Sequence, residues 1–556
     1  MKEKDLHQEW FNKFRNSEQY SDWVNNPIAY FCTEYALFDY PALYAGGLGV
    51  LSGDYFKEIV DQKFPAVAVG LFYHKEHVHN KSFDLGTHDP NELGLTLLKD
   101  DQGESIKIVV PIGWRDVYIQ AWQWKDLNSV IILLDTKIPE NHPDDQVITD
   151  MLYIENRDLR LKQEIILGIG GMRFLEIIGA KPSLYHLNEG HSSFMVFELI
   201  RQEIKKTKCS IKEAMDKIKK KVVFTNHTLI EAGLEKFSYG SVEGMLHTFA
   251  KEFGTDIKDL MSVGTEKEAS LFSMTKMALN LSHKVNAVSK LHEEKAALLW
   301  PGYNLHAVTN GIYLPRWDSL ENVLGIEMWN EHQNNKYKLL TVVKNKTGKY
   351  LDPDAILLGW ARRFVPYKQP LALLEDVQRF KKMALEEGRK IHVIYSGPVN
   401  LSYSNENEFL SKLEALIENE LSGIVVFLPD YDIELSKLLV AGCDVWLNTP
   451  VVGKEACGTS GMKACLNGVL PLSTNDGWIA EVDVTDIGWI VEDNNLSLNL
   501  LNILENEIVP LYYEHLKNPS ITSLWFLRMQ RARKLIQKEF STARTLKDYI
   551  EKLYIS

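Results

Sequence analysis

The chain has 556 residues, 45% of them apolar and 25% charged, an ordinary globular composition with length for two or more domains and a large buried core. A formal net charge of -13 excludes nucleic acid and anionic membrane as main partners, because both reward broad basic surfaces, so any anion site must be local. Five cysteines (Cys32, Cys209, Cys443, Cys457, Cys465) are odd in number, scattered and without metal-ligand spacing to histidine, the usage of a reduced cytoplasmic protein.

The first residues, from Met1 to Glu9, lack the apolar core of a signal peptide. From Ile28 to about Thr309, short apolar runs alternate with helix-like stretches such as Phe194 to Lys206. The runs are Ile28 to Cys32, Ala66 to Tyr73, Val130 to Leu134, Leu184 to Leu187 and Val222 to Thr225. Such alternation predicts a doubly wound α/β layer. The apolar run around Ile165 to Ile178 is broken by Arg173 and Glu176, so no membrane segment is expected.

Within this half, the turn Gly46-Gly47-Leu48-Gly49 precedes helix-compatible residues and lets backbone approach an anion with no side chain between. His227 and Asn310 each end an apolar run and begin a loop, the ligand edge of such a sheet. His186, Glu189 and His191 lie close enough in sequence to resemble a metal-ligand set.

After a charged, irregular bridge (Trp317 to Tyr350) the alternation restarts, with strands at Ala355 to Gly359, Ile391 to Tyr395, Val425 to Leu428, Val445 to Leu447 and Val469 to Leu472. Arg362, Arg363 and Lys368 follow the first of these, interleaved with Trp360, Phe364, Pro366 and Tyr367, which puts three cations in a semi-buried loop suited to phosphate. The stretch Glu455 to Cys465 gathers Gly458, Thr459, Ser460, Gly461 and Lys463 into a turn that opens the helix-compatible run Met462 to Asn467. Backbone amides there suit a phosphate, and burial beside them lowers the lysine pKa toward the neutral amine that condenses with an aldehyde, a combination that suits pyridoxal 5'-phosphate. The terminal segment, Leu524 to Tyr554, is a basic-acidic helical pattern. There is no internal repeat at solenoid periods and no low-complexity tract.

Two α/β layers predict two Rossmann-like, doubly wound domains facing a cleft, at residues 1–316 and 317–523, with a helical tail at 524–556. Six ordered segments carry a resemblance: Tyr44 to Asp54, His186 to His191, Phe224 to Thr228, Thr309 to Ile312, Ala361 to Lys368 and Glu455 to Lys463. Together they resemble the α-glucan (glycogen/maltodextrin) phosphorylases, and most of all their short bacterial and archaeal branch. The resemblance implies a GT-B-like glycosyltransferase fold whose tail crosses back to the first domain. It also implies reversible, retaining phosphorolysis of an α-1,4-glucan or maltodextrin by inorganic phosphate to glucose 1-phosphate.

Pyridoxal phosphate would be bound at Lys463 beside Gly458, Thr459 and Ser460, its 5'-phosphate relaying a proton through the substrate phosphate. By the same resemblance Arg363 and Lys368 hold inorganic phosphate, Arg362 steadies the coenzyme phosphate, and the Gly47 amide, with Leu48 beside it, meets the substrate phosphate. His227 and Asn310 face the sugar 6-hydroxyl, Tyr367 the 2-hydroxyl, and Glu455 with the Gly458 backbone the 3- and 4-hydroxyls, while His186, Glu189 and His191 support the sugar site and no metal is expected.

Departures from the family pattern stand at Pro398-Val399-Asn400, where Gly-Lys is usual after the strand, and at Gln369, where arginine is usual. A nucleotide-sugar glucosyltransferase of the same fold would carry a lysine where this chain has Tyr44-Ala45. A non-catalytic glucan-binding relative is kept open by Pro398. Phosphorylation and nucleotide activation are not expected. Preferred glucan length, physiological direction and any homo-oligomer are left open by the sequence.

Overall fold

Strands covered on both faces read as continuous apolar runs, and β1 (Ile28–Phe31) and β2 (Ala66–Leu71) are buried at every position. The computed structural model describes residues 7–39, 43–75, 89–230, 234–266, 270–398 and 404–555, with the side chains of 404–406 also left out. In it these two strands lie inside a large sheet with β3 (Thr96–Leu97), β4 (Ile108–Ile112), β5 (Arg115–Asp126), β6 (Ser129–Asp135), β7 (Leu184–Asn188) and β8 (Val222–Thr225). A separate antiparallel pair, β9 (Lys236–Ser238) and β10 (Leu271–Ser273), precedes β11 (Lys284–Ala287) and β12 (Leu305–Ala307), which return to the large sheet.

The order is β12-β11-β8-β7-β1-β2-β6-β5-β3, with β4 on β5. Pairing is parallel from β12 to β6 and antiparallel from β6 outward. The strand order reverses between β1 and β7. That is the topological switch point, where loops leaving the carboxyl ends of neighbouring strands diverge and open a crevice.

The second sheet has the order β15 (Val425–Leu428), β14 (Ile391–Ser396), β13 (Ile356–Ala361), β16 (Val445–Asn448), β17 (Leu470–Ser473), β18 (Trp489–Ile490), all parallel. Its switch point lies between β13 and β16, whose loops carry Arg362 to Lys368 and Glu455. The fold class read from the sequence is the one observed.

The bridge expected to be irregular is mostly one 21-residue helix, Glu327–Thr347. Its buried face includes Met328, Trp329, Leu339 and Val343, but also His332, Asn335 and Lys336, so polar residues hide the apolar period. Those polar groups are paired inside the fold. The Asp444 carboxylate accepts from Lys336 Nζ at 2.7 Å and from the Leu357 amide at 2.7 Å, and His332 Nε2 lies 3.0 Å from its other oxygen.

The terminal segment is two helices, Leu524–Glu539 and Thr542–Tyr549, followed by a π-helical turn, Ile550–Tyr554. Trp525, Phe526 and Met529 enter the apolar core of the second sheet, whereas Leu546, Tyr549, Ile550, Leu553 and Tyr554 enter that of the first. At the crossing, Ile312 and Ser541 form a parallel bridge, and a Cβ on Gly311 would stand 2.4 Å from the Ser541 carbonyl oxygen. Only glycine admits that approach. A third apolar cluster joins the halves, with Tyr44, Val50 and Ile312 packed among Trp317, Met462, Ala464, Cys465 and Trp478. Among the described residues no helix is long and apolar enough to cross a membrane.

Candidate active site

The two loops at the second switch point meet through charge. Lys368 Nζ donates to Glu455 Oε2 at 2.6 Å, and Arg362 Nη1 lies 3.5 Å from the same oxygen. Burial would raise the Glu455 carboxyl, but Lys368 and Arg362 outweigh it and hold it at about 2. Burial, with Arg362 beside it, draws the Lys368 amine down to about 8. Arg362 is buried and its Nη1 has no hydrogen-bond partner, whereas the Arg363 side chain is exposed and makes no hydrogen bond or ion pair among the described residues. Tyr367 is half-buried, its ring 4.9 Å from Lys368 Nζ.

Backbone contacts fix both loops. Thr449 Oγ1 donates to the Lys368 carbonyl at 3.0 Å, and Gln369, in the left-handed region at φ +47°, donates its side-chain Nε2 to the Thr449 carbonyl at 3.2 Å. The unusual glutamine therefore props the strand-end loop from within. Asp476 accepts from the amides of Lys454 (3.1 Å) and Glu455 (2.9 Å), and Trp478 N donates to the Cys457 carbonyl at 3.1 Å. Gly477 sits at φ +65°, and a Cβ there would stand 2.3 Å from that carbonyl oxygen. At the end of β14, a Cβ on Gly397 would stand 2.0 Å from the Arg362 carbonyl oxygen, so a glycine is required before Pro398. Val399 and Asn400 lie outside the described residues.

Lys463 lies on the seven-residue helix Ser460–Leu466, preceded by Thr459. Gly458 takes φ +77°, turning the chain into that helix, and Ser460 Oγ accepts from Trp446 Nε1 at 3.3 Å. The Lys463 amine is buried, makes no hydrogen bond among the described residues and rests 3.9 Å from the centroid of the Trp317 ring. Burial draws it down to about 8, Asp54 opposing and Arg316 assisting. A buried amine without an acceptor, an orphaned Arg362 nitrogen and the hydroxyls of Thr459 and Ser460 fit an aldehyde-bearing phosphate ester.

The glycine turn opens the helix Gly47–Asp61. Gly47 is exposed, and a Cβ on it or on Gly46 would meet nothing within 4 Å, so the turn faces open space. Leu48 packs against the first core. The first-turn amides of this helix lack intrahelical partners, and no side chain caps them. Glu34, at the first switch point, grips the turn from below, accepting from the Ala45 amide at 2.7 Å and from Tyr153 Oη at 2.8 Å.

Beside it, Glu189 takes φ +71° and accepts from the His227 amide at 2.8 Å. His227 Nε2 lies 2.6 Å from Asn188 Oδ1, and burial with His292 nearby lowers the ring to about 3, so it is neutral. Asn310 is buried with Oδ1 unpartnered, next to the Cys457 thiol on the other half, and Ser289 Oγ donates to the Ala456 carbonyl at 2.6 Å. Thus Asn310 meets the Glu455 to Lys463 segment directly, while the Gly47 helix reaches Lys463 through Asp54 and Trp317.

Asp54, Trp317, Asp476 and Glu34 were not singled out by the sequence; lone residues outside any cation or glycine run carried no signal. Near this crevice Glu164, His191 and Glu235 bring ligand atoms within 4.8 Å of one another. Arg160 Nε stands 3.3 Å from an oxygen of Glu164 and of Glu235 and Arg157 pairs with Glu235, while burial pushes the Glu164 carboxyl well above its usual range.

The sequence profile described as carbohydrate phosphorylase matches residues 156–324 and 321–549. The chain is 33% identical to the maltodextrin phosphorylase of Thermococcus litoralis, over 98% of this chain and 72% of that one. It is 31% identical to the glycogen phosphorylase of Aquifex aeolicus, over 96% and 87%, and 28% identical to that of Mycobacterium tuberculosis, over 98% and 72%. With two α/β sheets, the second wholly parallel and carrying a cation cluster at its switch point, and relatives matched across nearly its whole length, this chain belongs to the carbohydrate phosphorylase family.

Proposed function

We propose that the protein is an α-1,4-glucan phosphorylase, a glycosyltransferase that splits maltodextrin or glycogen with inorganic phosphate and releases glucose 1-phosphate with retained configuration, reversibly. The observation that carries the reading is the Lys463 amine, buried and unbonded on the Trp317 face and drawn down to about 8, on the same sheet edge as the Arg362, Lys368 and Glu455 cluster. When bound there, pyridoxal phosphate supplies an acid-base phosphate rather than an electron sink.

The chain's own groups do the rest. Arg363, exposed and unpaired among the described residues, and Lys368, which exchanges Glu455 for an incoming anion, bind and orient the attacking phosphate. Their charges hold its oxygens against the anomeric carbon, where positive charge develops as the glucan leaves. Arg362 offers Nη1, which makes no hydrogen bond, to the coenzyme phosphate, with Gly458, Thr459 and Ser460 as the adjoining wall. The Gly47 amide, with Leu48 beside it, closes on the substrate phosphate from the first domain. His227 and Asn310 take the sugar 6-hydroxyl, Tyr367 the 2-hydroxyl, and Glu455 with the Gly458 backbone the 3- and 4-hydroxyls. Glu455, kept ionised at neutral pH, is an acceptor for sugar hydroxyls and not a proton donor.

The same reading places the protein in the cytoplasm and divides it at 1–316, 317–523 and 524–556. Borohydride reduction of the purified protein followed by peptide mapping should find a pyridoxyl group on Lys463, and Lys463→Ala should lose both coenzyme and phosphorolysis. Phosphorolysis by a protein with no pyridoxyl lysine would overturn the reading.

A further inference from the structure

Asp54 lies two turns below the glycine turn on the helix Gly47–Asp61, almost wholly buried. Its Oδ1 accepts from Arg316 Nη1 at 2.8 Å, and its Oδ2 from Trp317 Nε1 at 2.7 Å and from the Tyr313 amide at 3.2 Å. Arg316 is fixed in turn by the Ala36 carbonyl at 2.6 Å. Next to Asp54, Gly53 lets the helix press onto that same carbonyl, since a Cβ would stand 2.3 Å from its oxygen. One carboxylate thus clamps the arginine and the indole from below, and the indole carries the Lys463 amine on its face at 3.9 Å.

We propose that Asp54 is a positioning residue for the coenzyme lysine: with Arg316 it fixes the Trp317 face on which the Lys463 amine rests, and it supplies the negative charge opposite that amine. The inference rests on the reading that Lys463 takes pyridoxal phosphate. It adds how the chain prepares the lysine before the coenzyme arrives. An ammonium with no hydrogen-bond acceptor is costly to bury, so the few full charges around it decide how readily it gives up its proton. Asp54 favours the ammonium and Arg316 the free amine.

Other charges near the Lys463 helix are already engaged. Arg533 pairs with Asp318 at 2.7 Å while donating to the Leu466 carbonyl, and Lys437 pairs with Asp39 at 2.8 Å and Glu434 at 2.7 Å. Arg316 also stands 3.8 Å from Asp39, and Lys57 lies near Arg316 and Asp54, so Asp54 and Arg316 act on the amine as an opposed couple within a wider charge group. The glycine-turn helix of the first half reaches the lysine of the second through that couple, so one rigid element serves both a phosphate-facing turn and the amine.

The test uses the full chain freed of coenzyme, with the Lys463 amine read directly by acetic anhydride labelling across pH 6 to 11 and peptide mass mapping. The wild-type midpoint should fall near 8. Asp54→Asn, which keeps shape and removes charge, should lower the midpoint by about one unit, roughly fivefold in free amine at pH 7. A purely structural role would loosen and wet the pocket and move it upward, toward an ordinary lysine. Arg316→Gln should raise the midpoint, whereas Arg316→Lys, which keeps the charge, should leave it near wild type. An unchanged or raised midpoint in Asp54→Asn overturns the inference. If that variant does not fold, equal shifts in Arg316→Gln and Arg316→Lys do so. Failure of borohydride labelling in the wild-type holoprotein would instead sink the coenzyme reading and leave the amine titration standing.

Discussion

Lys368 and Glu455, 87 residues apart, meet at 2.6 Å across the switch point of the second sheet, with Arg362 at 3.5 Å from the same carboxylate oxygen. The carboxyl is held low, at about 2 against an unperturbed 4.5, so the cluster's stabilisation is fully present above 4.5 and lost as pH falls toward 2. Glu455→Gln should therefore be less stable than wild type at neutral pH by on the order of a few kcal/mol, with the gap closing between pH 4.5 and 2. Urea denaturation at a series of pH values checks this; a gap that widens on acidification contradicts the sign.

Arg363 is exposed and bonded to no described side chain, so Arg363→Ala should leave the melting temperature unchanged. Losing a charge-assisted contact to phosphate costs about 1.5 to 3 kcal/mol, so phosphorolytic efficiency should drop at least about tenfold, mostly as a raised KM for phosphate. Coenzyme content, read from absorbance, should stay at the wild-type level.

Gly47 meets open space on the Cβ side, so Gly47→Val should fold as wild type does. A branched side chain standing over the first-turn amides should still impair phosphorolysis while Lys463 remains labelled. Wild-type kinetics in this variant would identify the glycine turn as plain surface.

Gly477 has no such freedom. An alanine there would need φ +65° and would drive its Cβ to 2.3 Å from the Cys457 carbonyl oxygen, so the loop carrying Glu455 must shift. Gly477→Ala should cost about 1 to 3 kcal/mol in local strain and raise the KM for glucan. Thermal melting beside substrate kinetics separates the two effects.

Asp444 is buried, with Lys336, His332 and the Leu357 amide all directed at its carboxylate. Asp444→Ala leaves the ammonium unpaired in the core and should cost about 3 to 5 kcal/mol. The loss should show as an earlier denaturant transition in the half that holds the second sheet.

Strands were the most legible part of the sequence, because buried parallel strands are unbroken apolar runs. Val425 to Leu428 is observed with the boundaries expected, and β13 is shifted to Ile356–Ala361, which sets Arg362 directly at a strand end. The strand Arg115–Asp126 was not foreseen, since one of its faces is half-exposed and its polar residues read as loop. Lys336 and His332 disguised a helix for the opposite reason, being polar residues buried because Asp444 pairs with them. In the crevice, the cation run and the glycine turns could be read locally. The grip of Asp54 on Trp317 could not, for it depends on two residues 263 positions apart that only the folded sheets bring together.

The tail that crosses back carries a consequence for biosynthesis. Tyr549, Leu553 and Tyr554 complete the core of the first sheet, and Tyr554 Oη stands 2.7 Å from His186 Nδ1 and 2.9 Å from Tyr55 Oη. A nascent chain that has finished all the strands of that sheet still exposes the apolar seat for these rings until the ribosome has released them. The core of the first sheet is thus sealed only after the strands of the second sheet have been made, and its open seat is the surface a chaperone would have to cover in the interval.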